Sequence, residues 1–113
     1  MKNLFPLLLF SLLFSCQKTT SKDVLPKEEM VSVLGDFYLA TEMVAMQRLP
    51  RDSSSLYLKS VYKPMILKKH NITSEKFDLS YRFYTARPEE FYVIQKAVAD
   101  SMKIKHLRGR VNF

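Results

Sequence analysis

The sequence has few of the residues that build common catalytic and binding sites. Its 113 residues include one cysteine, two glycines and no tryptophan. One cysteine cannot form an internal disulfide or supply several thiolates to a zinc ion. Two glycines cannot form a glycine-rich loop around a phosphate, so nucleotide binding has no support. The apolar run from Leu4 to Phe14 is also shorter than the roughly 20 residues that a transmembrane helix needs.

What the sequence does contain favours one folded domain. Hydrophobic residues make up 47% of the chain and charged residues 26%, and six Tyr and eight Phe offer bulky material for a core. This balance differs from that of disordered chains, which combine low hydrophobicity with high net charge. The length suits a single core.

Positive charge is concentrated near the end of the sequence. Lys and Arg total 18 against 11 for Asp and Glu, but residues 16–100 hold 13 cations and 11 acids. Residues 101–113 hold four cations and no acid: Lys103, Lys105, Arg108 and Arg110. A basic cluster of this kind suits an anionic surface. The tail is therefore a candidate contact for an anionic lipid headgroup or cell-wall polymer.

The first sixteen residues have the layout of a signal peptide. Lys2 gives a positive start, an apolar stretch follows, and the small residue Ser15 precedes Cys16. Leu13, Phe14, Ser15 and Cys16 resemble the lipobox of bacterial lipoproteins, although Phe14 stands where a small or β-branched residue is more common. This resemblance implies cleavage before Cys16 and attachment of acyl chains such as palmitate. The alternatives are a secreted protein in which Cys16 is incidental, and a buried free thiol.

The segments on either side of Cys16 define the expected domain organisation. Residues 17–23 are polar and lack apolar periodicity, so Cys16 stands at the start of a linker rather than in a core. We expect a signal peptide over 1–15, the lipidated cysteine and linker over 16–24, a helical domain over 25–105 and a basic tail over 106–113. More than one acyl chain would anchor the protein stably, because each buried methylene contributes about 0.8 kcal/mol.

Two helices are expected in the first half of the domain. Pro26 followed by acids at 28–29 is typical of a helix start. An apolar stripe then predicts about five turns: Met30, Val33, Leu34, Phe37, Ala40, Val44 and Ala45. The second helix is expected to take its N-cap from residues 52–55 and to bury Leu58, Val61, Tyr62, Met65 and Ile66. Pro64 lies inside it and removes one backbone hydrogen bond, which predicts a kink or a division.

Two further helices are expected in the second half. Asn71 tolerates the left-handed conformation that ends a helix, and Thr73 can cap the next one. This third helix should end near Ala86, since the residue before Pro88 disfavours helix, and should bury Phe77, Tyr81, Phe83 and Tyr84. The fourth should start at Pro88, end at Gly109 and bury Phe91, Ile94, Val98 and Met102. Few stretches alternate with a period of two, so we predict an all-α bundle of about four short helices.

Several segments together resemble a known family. They are the lipobox, residues 23–25, 28–31, 34–36, 68–73 and 87–90, with Phe77 and Tyr84. This pattern resembles the Bacteroidota lipoprotein family called domain of unknown function 4296. The resemblance covers nearly the whole chain after Cys16, implies an address in the envelope of a bacterium with an outer membrane, and brings no known activity. Surface-exported lipoproteins of such bacteria commonly carry acids just after the cysteine, whereas residues 17–19 here have none, which favours a periplasm-facing protein.

The remaining polar residues predict no catalytic or metal site. His70 and His106 are 36 positions apart, and neither has a second ligand at helical spacing. We interpret His70 as a helix-end residue and His106 as part of the tail. No serine lies in a glycine-flanked elbow, and the adjacent glutamates at 28–29 and 89–90 are explained as helix starts. We therefore expect no enzymatic activity, no cofactor and no bound metal.

Two functions from different classes are favoured over a third, an enzyme, which a deep pocket lined by convergent polar groups would support. The first is a non-enzymatic, membrane-tethered module that binds another envelope protein through an apolar or aromatic helix face. The alternative is binding of an anionic envelope component through the basic tail. Aromatics interleaved with cations at 57–63 and 81–84 also suit a stacking platform for single-stranded nucleic acid. An exported protein does not meet such a partner, and helices with their aromatics turned inward explain the same pattern.

Overall fold

The computed structural model describes residues 22–108, with side chains described as far as residue 104. Within this range the chain forms four helices and no strand, which confirms the predicted all-α architecture. Helix α1 spans Lys27–Met46, α3 spans Ser74–Thr85 and α4 spans Pro88–Arg108. Helix α2 is continuous over 51–69 and consists of an α-helical part, Arg51–Tyr57, a π-helical part, Leu58–Tyr62, and a second α-helical part, Lys63–Lys69.

Most helix ends follow local signals in the sequence. Pro26 directly precedes α1, and Pro88 is the first residue of α4. The Thr73 hydroxyl accepts a hydrogen bond from the Lys76 backbone N–H at 3.1 Å, as an N-cap residue does. Asn71 adopts a φ of 54° in the turn after α2, the left-handed conformation expected there. These four predictions are confirmed.

The start of α2 differs from the prediction. The helix begins at Arg51, directly after Pro50, and no side chain caps it, so the N-cap expected from residues 52–55 is wrong. Proline holds φ near −65°, and Pro50 has a φ of −54°, so the chain turns into the helix without a side-chain cap. Asp52 lies in the first turn instead, where the helix dipole favours an acid.

Pro64 neither divides α2 nor ends it. A proline inside an α-helix lacks an N–H, and its ring collides with the carbonyl four residues earlier, here that of Ser60. The segment before the proline widens into a π-helical turn, in which the Lys63 N–H reaches the Leu58 carbonyl five residues back. Because the wider turn moves the carbonyls that the proline would meet, the helix continues to Lys69.

The core is formed by the inner sides of the four helices and by the short strap of residues 22–26. Its buried hydrophobic residues are Val24, Leu25, Met30, Val33, Leu34, Ala40, Val44, Tyr62, Ile66, Leu67, Phe77, Phe83, Tyr84, Ile94 and Val98. Phe91 and Met102 pack against this core while remaining partly exposed. Val24, which the sequence places at the end of the linker, contributes its side chain to the core.

Hydrogen bonds attach the strap to α3. The Leu25 N–H donates to Ser80 Oγ at 2.8 Å, and the Leu25 carbonyl accepts from the Tyr84 hydroxyl at 2.6 Å. Helices α1 and α4 begin at this same end of the domain, where Lys27 Nζ and Glu90 Oε2 lie 3.9 Å apart. The chain therefore enters the domain at a fixed point beside the first turns of α1 and α4.

Some side chains predicted to be buried are exposed instead. They are Ala45 on α1, Val61 and Met65 on α2, and Tyr81 on α3. Helical periodicity indicates which side of a helix a residue occupies, but not how far a neighbouring helix covers that side. Val61 and Met65 lie along α2, and Tyr81 lies at a gap between α1 and α3.

Candidate functional site

Helix α1 carries one acid on its buried side. Asp36 is only 3% exposed. Its Oδ2 atom accepts a hydrogen bond from Lys69 Nζ at 2.9 Å and lies 2.7 Å from His70 Nε2. Because a carboxylate can only accept, the imidazole carries a hydrogen on Nε2 in this pair. We name Asp36, Lys69 and His70 the α1–α2 junction.

The junction has a structural explanation. A buried carboxylate without partners costs several kcal/mol, and here two donors from the end of α2 satisfy it. Lys69 lies in the last turn of α2 and His70 follows it directly, so positive charge at this position also interacts favourably with the carboxyl end of the helix dipole. The junction holds the middle of α1 against the end of α2.

Sequence reasoning identified His70 only as a helix-end residue and did not single out Asp36. The signal was present, since Asp36 falls between Val33 and Ala40 on the apolar stripe of α1. An acid on such a stripe predicts a buried partner. Residues 34–36 and 68–73, both part of the family resemblance, contribute the three residues that meet at the junction.

A cavity of about 260 Å³ lies beside the junction. It is lined by Glu28, Glu29, Ser32, Val33, His70 and Ile72. Its two glutamates are exposed and belong to the first turn of α1, where the helix dipole accounts for them. Among the described side chains, no three of the types His, Cys, Asp or Glu form a group that could hold a metal ion.

An aromatic groove opens between α1 and α3. Its volume is about 260 Å³, and it is lined by Leu34, Phe37, Tyr38, Thr41, Phe77 and Tyr81. The Phe37 and Phe77 ring centroids lie 5.0 Å apart, and Tyr81 stacks on Phe77 at 6.0 Å. Tyr38 and Tyr81 are 41% and 43% exposed. The groove therefore combines an apolar floor with two tyrosines that reach the surface.

The two groove tyrosines keep their polar ends available. Within the described part of the chain, neither the Tyr38 nor the Tyr81 hydroxyl has a hydrogen-bond partner. Thr41 donates its hydroxyl hydrogen to the Phe37 carbonyl at 2.9 Å, which leaves its oxygen as an acceptor. Tyrosines with an apolar body and an unpaired polar tip are typical of protein-binding surfaces.

Tyr84 shows the opposite arrangement three positions further along α3. It is buried, and its hydroxyl donates to the Leu25 carbonyl at 2.6 Å. Burial raises the pKa of Tyr84 above its ordinary value, and the negative charges of Glu90 and Glu28 raise it further. The domain therefore holds Tyr84 as a neutral phenol whose hydrogen bond attaches the strap to α3.

The predicted lipidation site lies outside the described residues. This holds for Cys16 and for the motif residues Leu13, Phe14 and Ser15. Between residues 22 and 108, no helix is both long enough and apolar enough to cross a membrane.

The predicted anionic-surface contact lies only partly within the described range. Lys103 is exposed on α4. The backbone of α4 continues to Arg108 and so enters the segment expected as a tail. The side chains of Lys105 and Arg108 are not among those described, and Arg110 lies beyond the described residues.

These features define a small all-α domain with a polar helix junction and an aromatic groove. The family model for Domain of unknown function (DUF4296) matches residues 22–107. This match covers most of the chain, and the chain belongs to this family. It includes α1, α2, α3 and all but the last residue of α4, and with them both the junction and the groove. No curated protein and no solved structure matches the chain significantly.

Proposed function

We propose that this chain is a membrane-tethered, non-enzymatic module that binds another envelope protein through the aromatic groove. In this proposal Cys16 carries the lipid, and the domain faces the periplasm from the outer membrane. The observation that carries the proposal is the pair of exposed tyrosines, Tyr38 and Tyr81, beside the apolar floor of Phe37 and Phe77.

The shape and composition of the groove support a protein partner. Small-molecule pockets usually enclose about 300–1,000 Å³, whereas the groove has about 260 Å³, which suits one or two inserted side chains. Tyrosine is enriched among residues that dominate binding energy, because it offers a large contact area with few rotatable bonds. Stacking on Phe77 already restrains Tyr81, so binding costs little further side-chain entropy.

The attachment of the strap supports the anchoring part of the proposal. Because Val24 and Leu25 are buried, at most seven residues, 17–23, separate Cys16 from the packed domain. Seven extended residues span at most about 25 Å. A lipid on Cys16 therefore keeps the groove close to the bilayer, which raises its effective concentration toward partners in the same membrane.

Photo-cross-linking in intact cells tests the groove. A benzophenone amino acid in place of Tyr38 is expected to cross-link a defined envelope protein. The same reagent in place of Tyr92, an exposed tyrosine on α4, is expected to give no such product. Tyr81→Arg should abolish the Tyr38 product because it places a charge beside an apolar floor, whereas Tyr92→Arg should leave it unchanged. Equal products from both positions, or a product that survives Tyr81→Arg, would contradict the proposal.

Mass spectrometry of the mature amino terminus tests the anchor separately. We expect Cys16 as the first residue, with the added mass of acyl chains, and we expect Cys16→Ser to abolish that mass. An unmodified Cys16, or cleavage at another position, would show that the anchoring part is wrong. The groove test remains valid in that case, since it does not depend on the lipid.

A further inference from the structure

Helix α2 exposes a stripe of apolar side chains. Tyr57, Val61 and Met65 are 39%, 42% and 40% exposed. They are four positions apart, so they lie along one side of the helix. Tyr62 and Ile66 are buried and occupy the side that packs on the core. We name Tyr57, Val61 and Met65 the α2 stripe.

Helix α2 also holds an excess of positive charge. Residues 51–69 include one acid, Asp52, and five cations: Arg51, Lys59, Lys63, Lys68 and Lys69. Elsewhere between residues 22 and 108, ten cations are balanced by ten acids. Lys63 and Lys69 pair with Asp78 and Asp36 within the domain. The side chains of Arg51, Lys59 and Lys68 are exposed, so the net positive charge of the described domain lies on the helix that carries the stripe.

We propose that the outer side of α2 is a contact surface for an anionic lipid bilayer, with the helix lying in the plane of the headgroups. An exposed apolar stripe accompanied by cations and few acids is typical of helices that lie in a membrane interface. Lysine can cover apolar surface with its stem while its charged end reaches a headgroup, and an anionic leaflet attracts each nearby cation.

The inference rests on the proposed lipid anchor, which brings α2 close to a bilayer. A lipid on Cys16 with a linker of at most about 25 Å keeps α2 within reach of the bilayer. The aromatic groove takes its residues from α1 and α3 and none from α2. Contact between α2 and the membrane therefore leaves the groove residues for a protein partner.

Tryptophan fluorescence in vesicles tests the contact directly. Because the chain has no tryptophan, Tyr57→Trp places a single fluorophore on the α2 stripe, and Tyr92→Trp places one on exposed α4 as a matched control. The full chain, processed in the expressing cell and purified in detergent, is reconstituted with vesicles of phosphatidylcholine and brominated phosphatidylglycerol. We expect strong quenching at position 57 and weak quenching at position 92. Equal quenching at the two positions would overturn the proposal.

Charge reversal tests the electrostatic part. In the reconstituted chain, Lys59→Glu with Lys68→Glu should remove most of the quenching at position 57, because an anionic leaflet attracts the two lysines and repels the two glutamates that replace them. Lys96→Glu with Lys103→Glu on α4 changes the net charge equally and should have little effect. If only the α4 pair lowers the quenching at position 57, the contact with the lipid depends on α4 and the basic tail rather than on α2.

Two further measurements distinguish the α2 contact from the lipid anchor and from dimerisation through α2. Flotation with neutral phosphatidylcholine vesicles reports the anchor alone. If the chain floats but the brominated vesicles give no selective quenching at position 57, the anchor is present and the α2 contact is disproved. In a chain that does not float, brominated anionic vesicles are added instead. Stronger quenching at position 57 than at position 92 then supports the α2 contact, and equal quenching disproves it. Sedimentation of Val61→Glu in detergent tests another occupant: a dimer of the parent chain that this variant dissociates would show that α2 binds a second copy instead.

Discussion

Asp36 and Tyr38 lie two positions apart on α1, yet they belong to regions of opposite character. At the junction, Asp36 is buried and two side chains from the end of α2 engage its carboxylate. In the groove, Tyr38 and Tyr81 are about two-fifths exposed, above a floor of stacked rings. A buried polar group must be paired within the domain, so the junction serves the fold. An exposed aromatic surface has no such partner, so it remains available for recognition.

The largest expected effect comes from breaking the junction. Asp36→Ala should lower the free energy of unfolding by about 2–4 kcal/mol, because it removes the buried acceptor of two donors, while the partly exposed Lys69 recovers some solvation. Urea denaturation followed by circular dichroism measures this loss. Asp78→Ala is the matched control, since its pair with Lys63 is exposed and should contribute below about 1 kcal/mol. Equal losses for the two variants would contradict the structural role of the junction.

A smaller effect is expected from the two tyrosines of α3. Tyr84→Phe should cost about 1–2 kcal/mol, because it leaves the buried Leu25 carbonyl without its donor, whereas Tyr81→Phe removes no described hydrogen bond and should cost almost nothing. The measurement is again urea denaturation at neutral pH. If Tyr81→Phe lowers the free energy of unfolding as much as Tyr84→Phe does, the prediction that only the Tyr84 hydroxyl stabilises the fold is wrong.

The same pair of variants gives a prediction for alkaline pH. The folded-state pKa of Tyr84 is raised above the ordinary value of 10.0, so the unfolded chain ionises first as the pH rises. The contribution of Tyr84 to the free energy of unfolding is therefore complete below about pH 10 and is lost as the pH rises through the folded-state pKa. Tyr84→Phe should reduce the alkaline loss of stability seen in a pH series, and Tyr81→Phe should not. Parallel pH profiles for all three proteins would contradict this prediction.

The smallest expected effect is a gain in stability beside the junction. A methyl group added at Gly35 would meet no atom within 4 Å, and Gly35 lies in the interior of α1. Gly35→Ala should therefore raise the unfolding free energy by roughly 0.5–1 kcal/mol, because glycine loses more backbone freedom than alanine when a helix forms. Ala45→Gly, at an exposed position of α1, should lower it by a similar amount. Destabilisation by Gly35→Ala would show that the junction needs the glycine itself.

The comparison also shows where sequence reasoning succeeds. The turn at Asn71, the cap at Thr73 and the start of α4 at Pro88 depend on φ preferences and hydrogen bonds within a few residues. The surroundings of these positions are contained in the neighbouring sequence, so they were predicted correctly. The cap expected for α2 failed because several polar residues competed for one position, and Pro50 already set the conformation of the chain there.

Sequence reasoning was weaker at the candidate site, which depends on distant segments. Helical spacing predicted that Val61, Met65 and Tyr81 are buried, but all three are exposed. An apolar stripe shows that a side chain is able to pack, not that another helix covers it. The excess charge of α2 was hidden in a nearly balanced total over residues 16–100. It becomes visible only when charges are counted helix by helix, and that count needs the bounds of α2 that the structure gives.

By itself, the sequence determined that the domain is all-α, where most of its helices begin and end, and that Cys16 is the candidate for a lipid anchor. These features follow from local backbone preferences, apolar periodicity and a short motif. Only the tertiary structure decided that Asp36 meets Lys69 and His70, and that aromatic and apolar side chains remain uncovered between α1 and α3 and along α2. Burial and pairing depend on which helices approach one another, and that is set by packing among residues far apart in the chain.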